Sequence, residues 1–262
     1  MLHFSAYLNS LARPLALCSL LLALLGSTTV LAAKPLVVGH TSDYEPLNFM
    51  RDGQLVGIEV DNAREVGKIL DRPVKAVIMP FEDLLQALDS GEVDVVMAGV
   101  SVTPERQQRV TFVEPFMRVG QMAIILADKA GRFAQPRAIY QEGIRIGVEP
   151  FTTGERYVQD TLTGAKVSHF PTSEAAFAAL RGNQIDMYIH DAPTSWLLAV
   201  GTANSDLLSL FRYLSSEDLA WAVRKDNSRL AAELNMAIQV LKDNGRLRAI
   251  QNRWIPIQVN VR

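Results

Sequence analysis

Short runs rich in β-branched residues alternate with segments whose apolar side chains recur at helical spacing, and the alternation occurs twice. In the first pass the pattern predicts strands over 36–40, 74–79 and 93–99, a hairpin at Asp52-Gly53, and helices over 61–70 and 81–88. In the second it predicts strands over 144–148 and 185–189, with helices starting at Glu155 and spanning 172–180 and 192–200. Two more helices, 228–241 and 246–254, close the chain. In each half a helix stops at glycine and the next strand carries an acidic second residue, Asp94 or Asp186. Such alternation buries its strands as parallel sheets under helices, so the expected fold class is α/β, with two similar lobes.

The first 33 residues stand outside this pattern. Arg13 is followed by an apolar run from Pro14 to about Leu25, and then by Val30-Leu31-Ala32-Ala33. A basic start, a short apolar core and small residues before a cut describe a secretory signal peptide, cleaved after Ala32 or Ala33. The run is shorter than the roughly 20 residues that span a bilayer. The chain's single cysteine, Cys18, falls inside this leader, so the mature chain holds no thiol. That excludes a disulfide framework, a cysteine zinc site and a Cys-X-X-Cys redox pair.

Composition removes further classes. A net charge of −2 with a pI near 6.1 provides no footprint for nucleic acid or an anionic membrane. No dinucleotide, nucleotide-phosphate, zinc-protease or serine-hydrolase motif occurs. The histidines His3, His40, His169 and His190 lack metal-ligand spacing, so no metal and no cofactor are expected.

A small-molecule site is the remaining class. In parallel α/β sheets ligands bind beyond the carboxyl ends of strands, where loops lead into helices. Those loops hold Thr41, Tyr44, Phe81, Ser101, Arg106, Thr152, Thr153 and Asp191. A guanidinium matches a carboxylate at two points, hydroxyls at helix starts favour the same anion, and a carboxylate on the other lobe suits an ammonium. Together they complement a zwitterion, an α-amino acid. Each residue also has a plainer use. Arg106 could form a surface ion pair, Asp191, Thr152 and Thr153 could cap helices, Ser101 could begin one, and Tyr44 and Phe81 could be core aromatics.

The run 91–106, GEVDVVMAGVSVTPER, continued by VTFVEPF over 110–116, resembles family 3 solute-binding proteins, the periplasmic receptors of polar amino-acid ABC importers. The segments GQLVGIEVD over 53–61 and DYEPLNF over 43–49 resemble the same family. The resemblance implies a two-lobed Venus-flytrap fold, each lobe a mainly parallel sheet flanked by helices, joined by two crossover strands. It places 34–119 and 222–262 in lobe one and 120–221 in lobe two. It also implies a monomer in the periplasm whose partners are a small ligand and either an ABC permease or a membrane sensor.

Residue by residue, it implies that Arg106 and Ser101 hold a ligand carboxylate, with Thr153 closing from the other lobe. Gly99 (through its carbonyl) and Asp191 hold the ammonium, and Tyr44 and Phe81 flank the side chain. Glu59 stands where aspartate is usual and is not expected to touch ligand. Thr41 stands where some receptors of basic amino acids carry aspartate, which disfavours that ligand class. His190 beside Asp191 is unusual. Cyclohexadienyl dehydratases share the fold, and for that alternative Glu155 or His190 would supply the acid that protonates a leaving hydroxyl.

Overall fold

The computed structural model describes residues 33–255 apart from 201 and 211. Residues 1–32 of the expected leader, with Cys18 and His3, lie outside the described residues.

The chain opens with β1 (Leu36–His40), a small antiparallel sheet of β2 (Asp43–Tyr44), β3 (Asn48–Arg51) and β4 (Gln54–Val56), and helix α1 (Ile58–Ile69). Next come β5 (Val74–Ile78), a 3-10 turn at Phe81–Asp83, α2 (Leu84–Ser90), β6 (Val95–Val96), α3 (Pro104–Arg109) and β7 (Val110–Phe112). Strand β8 (Met117–Val119) leads into the second half: β9 (Gln121–Leu126), β10 (Arg145–Val148), α4 (Thr153–Thr161), β11 (Lys166–His169), α5 (Ser173–Arg181), β12 (Met187–Asp191), α6 (Ala192–Val200) and β13 (Leu207–Leu210). The chain returns through β14 (Glu217–Leu219) to β15 (Ala222–Arg224), α7 (Ser228–Asp243) and α8 (Arg246–Trp254).

Two five-stranded sheets result, ordered β5-β1-β6-β15-β7 and β11-β10-β12-β9-β13. Each is mixed. The first three strands of each order pair in parallel, and the other two pairings are antiparallel. The antiparallel partners are chain that has just crossed between sheets: β9 enters the second sheet and β15 re-enters the first. The crossings themselves, β8 and β14, pair antiparallel, with Arg118 Nε donating to Asp218 Oδ1 at 3.0 Å.

The echo in the sequence has a structural cause. Asp94 Oδ2 accepts the backbone N–H of Val37 at 3.0 Å, and Asp186 Oδ2 accepts that of Arg145 at 3.0 Å. In both sheets this aspartate ties down the start of the first parallel strand, where an N–H would otherwise lack a partner.

Several boundaries differ from expectation. Helix α1 begins at Ile58 rather than 61, because Pro46 O and Leu47 O take up the N–H groups of Ile58 and Glu59. No side-chain cap announces that start. Gly57 permits it with φ of 131°, and a Cβ there would lie 2.2 Å from Leu47 O. The expected helix 81–88 divides into the 3-10 turn and α2, and only Val95–Val96 of 93–99 is strand.

The main core gathers Leu36, Val38, Ile58, Val66, Val95 and Trp221 with Leu234, Ile238 and Leu241 from one face of α7. Each fully buried aliphatic side chain contributes about 1.5–3 kcal/mol. A separate core under the second sheet includes Ile125, Ile146, Val148, Val158 and Met187. Among the described residues, no helix is long and apolar enough to cross a membrane.

Candidate functional site

The carboxyl ends of the parallel strands of both sheets converge on one cavity, lined by Arg106, Ser101 and Tyr44 from one side and Thr153, His190 and Asp191 from the other. Thr41, Phe81, Gly99, Gln121, Glu149, Thr152 and Ile189 complete it. All eight residues expected to bind ligand are therefore brought together.

Arg106 owes its position to a short helix with a strong start. Pro104 occupies the first turn of α3, and Thr103 Oγ1 accepts the backbone N–H of Arg106 at 3.1 Å. Its guanidinium donates to Ser101 O at 3.0 Å and to Phe151 O at 3.1 Å, and lies over the Phe81 ring at 5.4 Å. No carboxylate pairs with it among the described residues, so the surface ion pair does not form. Burial disfavours its charge, while Asp191 and Glu217 support it.

Across the cavity, Asp191 closes β12 immediately before α6. Its carboxylate accepts from Tyr44 Oη at 2.6 Å and from Gln121 Nε2. Burial raises its pKa, as does the like charge of Glu217, against the His190 charge and these two hydrogen bonds. Thr153 Oγ1 accepts from Gln121 Nε2 at 3.2 Å and lies 3.5 Å from Ser101 Oγ. Thr152 acts as the cap: Oγ1 accepts from Glu155 N at 3.2 Å and donates to Glu149 O at 2.7 Å.

Glu155 does not line the cavity. Its carboxylate accepts from Phe151 N at 2.7 Å and Gln159 Nε2 at 3.1 Å, and its Oε1 lies 2.7 Å from His169 Nε2. It stabilises the start of α4, and faces an outer groove rather than a position from which it could protonate a guest. His190 does line the cavity.

Five contributors were not assigned from sequence: Gln121, Glu217, Ser215, Glu149 and Glu59. Gln121, the first residue after the crossing, links Asp191 and Thr153 to Glu217, whose Oε1 is 3.3 Å from its Nε2. Ser215 Oγ receives Gln121 N at 2.9 Å, so the site is tied to the crossing segments. Glu149 lies in the 149–155 loop that strand-end reasoning marks, and its charge was the available signal. Glu59 is fully buried behind the cavity and accepts from Gly99 N at 3.1 Å and Trp221 Nε1 at 2.8 Å. Gly99 must be glycine: its φ is 67°, and a Cβ would meet Leu47 Cδ1 at 2.5 Å and Tyr44 Cε1 at 2.7 Å.

The cavity measures about 30 Å³. It is a narrow space, crossed by hydrogen bonds between its two sides. Polar groups from opposite sides bond to each other, Tyr44 to Asp191 and Arg106 to Phe151.

The family model for bacterial extracellular solute-binding proteins, family 3, matches residues 36–257. The chain belongs to that family. This family 3 protein is 29% identical over 244 residues to "ABC transporter arginine-binding protein 1" of Escherichia coli K12, covering 90% of this chain and 98% of the relative. It is 27% identical to the cyclohexadienyl dehydratase of Pseudomonas aeruginosa PAO1, over 62% of this chain and 61% of the enzyme. Its fold matches the solved structure of an ancestral arginine-binding protein bound to glutamine, with a TM-score of 0.77 and 29% identity. That match covers 85% of this chain and 98% of the other. The family's members are two-lobed, and so is this family 3 protein.

Proposed function

We propose that this protein is an exported periplasmic receptor that closes two lobes around an α-amino acid and presents the loaded form to an ABC importer. Lobe one comprises 34–119 and 222–262, lobe two 120–221, and the leader directs export. The observation that carries the reading is the placement on one cavity of Arg106, from α3 between β6 and β7 of the first sheet, and Asp191, from β12 of the second. The guanidinium takes the ligand carboxylate with Ser101 and Thr153, and Asp191 takes the ammonium. Lobe-two contacts exist only when the lobes meet, so ligand shifts the population toward closure.

Support for closure comes from bonds between the two sides: Tyr44 to Asp191, Arg106 to Phe151, and Thr194 Oγ1 to Glu45 O at 3.1 Å. The dehydratase relative motivates a second reading, catalysis, for which His190 is the remaining acid. The receptor reading is favoured because Glu155 is engaged at the start of α4.

A thermal-shift screen of the mature protein against the amino acids, prephenate and arogenate tests both. A ligand at a hundredfold excess over Kd adds about 2.7 kcal/mol of stability. Stabilisation by an amino acid supports the receptor. Silence from every amino acid, or turnover of prephenate, overturns it.

A further inference from the structure

Among the ionisable side chains lining this cavity, His190 and Glu149 are the two that the zwitterion does not employ. His190 is 7% exposed, lies edge-on to Tyr44 with centroids 5.1 Å apart, and packs against Tyr188 at 5.3 Å. Its Nε2 stands 3.6 Å from Glu149 Oε2, an ion-pair separation too long for a good hydrogen bond. Its Nδ1 is buried without a hydrogen-bond partner. A buried imidazole with neither nitrogen well bonded is costly to retain and calls for a use.

The surroundings are acidic from several elements. Asp43 and Tyr44 approach from β2, Glu149 from the loop after β10, and Tyr188 and Asp191 from its own strand. Glu217 of β14 adds its charge at Asp191, and the neutral Met122 pairs with His190 across β9. The other cation lining the cavity, Arg106, already donates to Ser101 and Phe151. The proton on His190 therefore decides whether Glu149 is neutralised or presents a free negative charge.

We propose that His190 and Glu149 form the subsite that selects the ligand's side chain, with the His190 proton and a cationic side chain competing for Glu149. A neutral hydrogen-bonding side chain binds equally whether or not His190 carries its proton. A cationic side chain binds Glu149 with His190 neutral, so one proton leaves to solvent for each such ligand bound. This assignment rests on the amino-acid reading of the cavity. Thr41, which donates to Asn48 Oδ1 at 2.5 Å, then need not supply the charge that an aspartate there would. Burial pulls the His190 pKa down, but the Glu149 and Asp191 carboxylates outweigh it and hold it above the ordinary value.

Calorimetry with L-arginine and L-glutamine, from about pH 5 to about pH 9, tests this. Arginine affinity should rise by up to about tenfold per pH unit while His190 titrates, with release approaching about one proton in buffers of different ionisation enthalpy. Glutamine should change by less than about twofold over the same range. His190→Gln should flatten the arginine profile, and Glu149→Gln should weaken arginine more than glutamine. Parallel profiles for the two ligands, an arginine slope that survives His190→Gln, or glutamine binding with none by arginine at the alkaline end overturns the proposal. The proton-release measurement uses the unmodified protein and stands even if a variant misfolds. Failure of every amino acid to bind at any pH would instead overturn the receptor reading.

Discussion

The guanidinium of Arg106 donates through Nη2 to the backbone carbonyl of Phe151, 3.1 Å away on the facing side of the cleft. Phe151 aims that carbonyl from a left-handed backbone, with φ of 64°, while its side chain stands 66% exposed. The group best suited to a ligand carboxylate is thus also a bond between the lobes. In the proposed receptor, ligand and lobe would compete for the same donor.

Removing the strain at this contact gives a direct test. A bulky residue in the left-handed region costs about 1–3 kcal/mol, and glycine avoids most of it. Phe151→Gly is expected to raise unfolding free energy by about 1 kcal/mol, since little packing is lost and the carbonyl belongs to the backbone. The melting temperature should rise by a few degrees with ligand affinity retained. A lower melting temperature would refute the account.

Arg106→Ala should lower amino-acid affinity by about 2–5 kcal/mol, because the ligand carboxylate would be buried without a charged partner. The α3 cap should survive, since Thr103 accepts from the backbone N–H of Arg106 and not from its side chain. Isothermal titration with an unchanged circular-dichroism melt is the measurement. Unaltered affinity removes Arg106 from the site.

Asp191→Asn keeps an acceptor for Tyr44 and Gln121 but loses the charge. Amino acids should weaken by about 1.5–3 kcal/mol, while carboxylates lacking an ammonium should bind no worse. Equal losses for both classes would place the ammonium elsewhere.

Glu59 makes stability depend on pH. Burial lifts its pKa from 4.5 to about 7 despite hydrogen bonds from Trp221, Gly99 and Asn62. The folded protein therefore keeps a proton that the unfolded chain releases, so this group's contribution is greatest below about pH 4.5 and declines as pH rises to about 7. The decline amounts to at most about 3 kcal/mol. The buried Asn62 Oδ1 lacks a donor, and a half-turn of its amide would let it accept the Glu59 proton from 3.3 Å. Urea denaturation of the wild type and Glu59→Gln across this range should show their stability difference changing with pH. A constant difference would contradict the shift.

Local chemistry is what the sequence makes legible. The alternation of strand and helix, the glycine stops and the cap at Thr152 act within a few residues, so their pattern survives without tertiary knowledge. The start of α1 was not legible, because backbone carbonyls of Pro46 and Leu47 replace a cap and leave no mark in residue type. The mixed character of the sheets was hidden too, since strand direction follows from how the chain returns between lobes.

By itself, the sequence determined the two α/β halves, the strand-end loops and the residue types complementary to a zwitterion. Only the tertiary structure decided that Arg106 and Asp191 share a cavity, that Glu155 is spent on a helix start, and that Gln121 and Glu149 join the site. Spacing along the chain sets which backbone groups meet within one element. Contacts between residues 85 positions apart depend on how two sheets pack, and no short pattern encodes that.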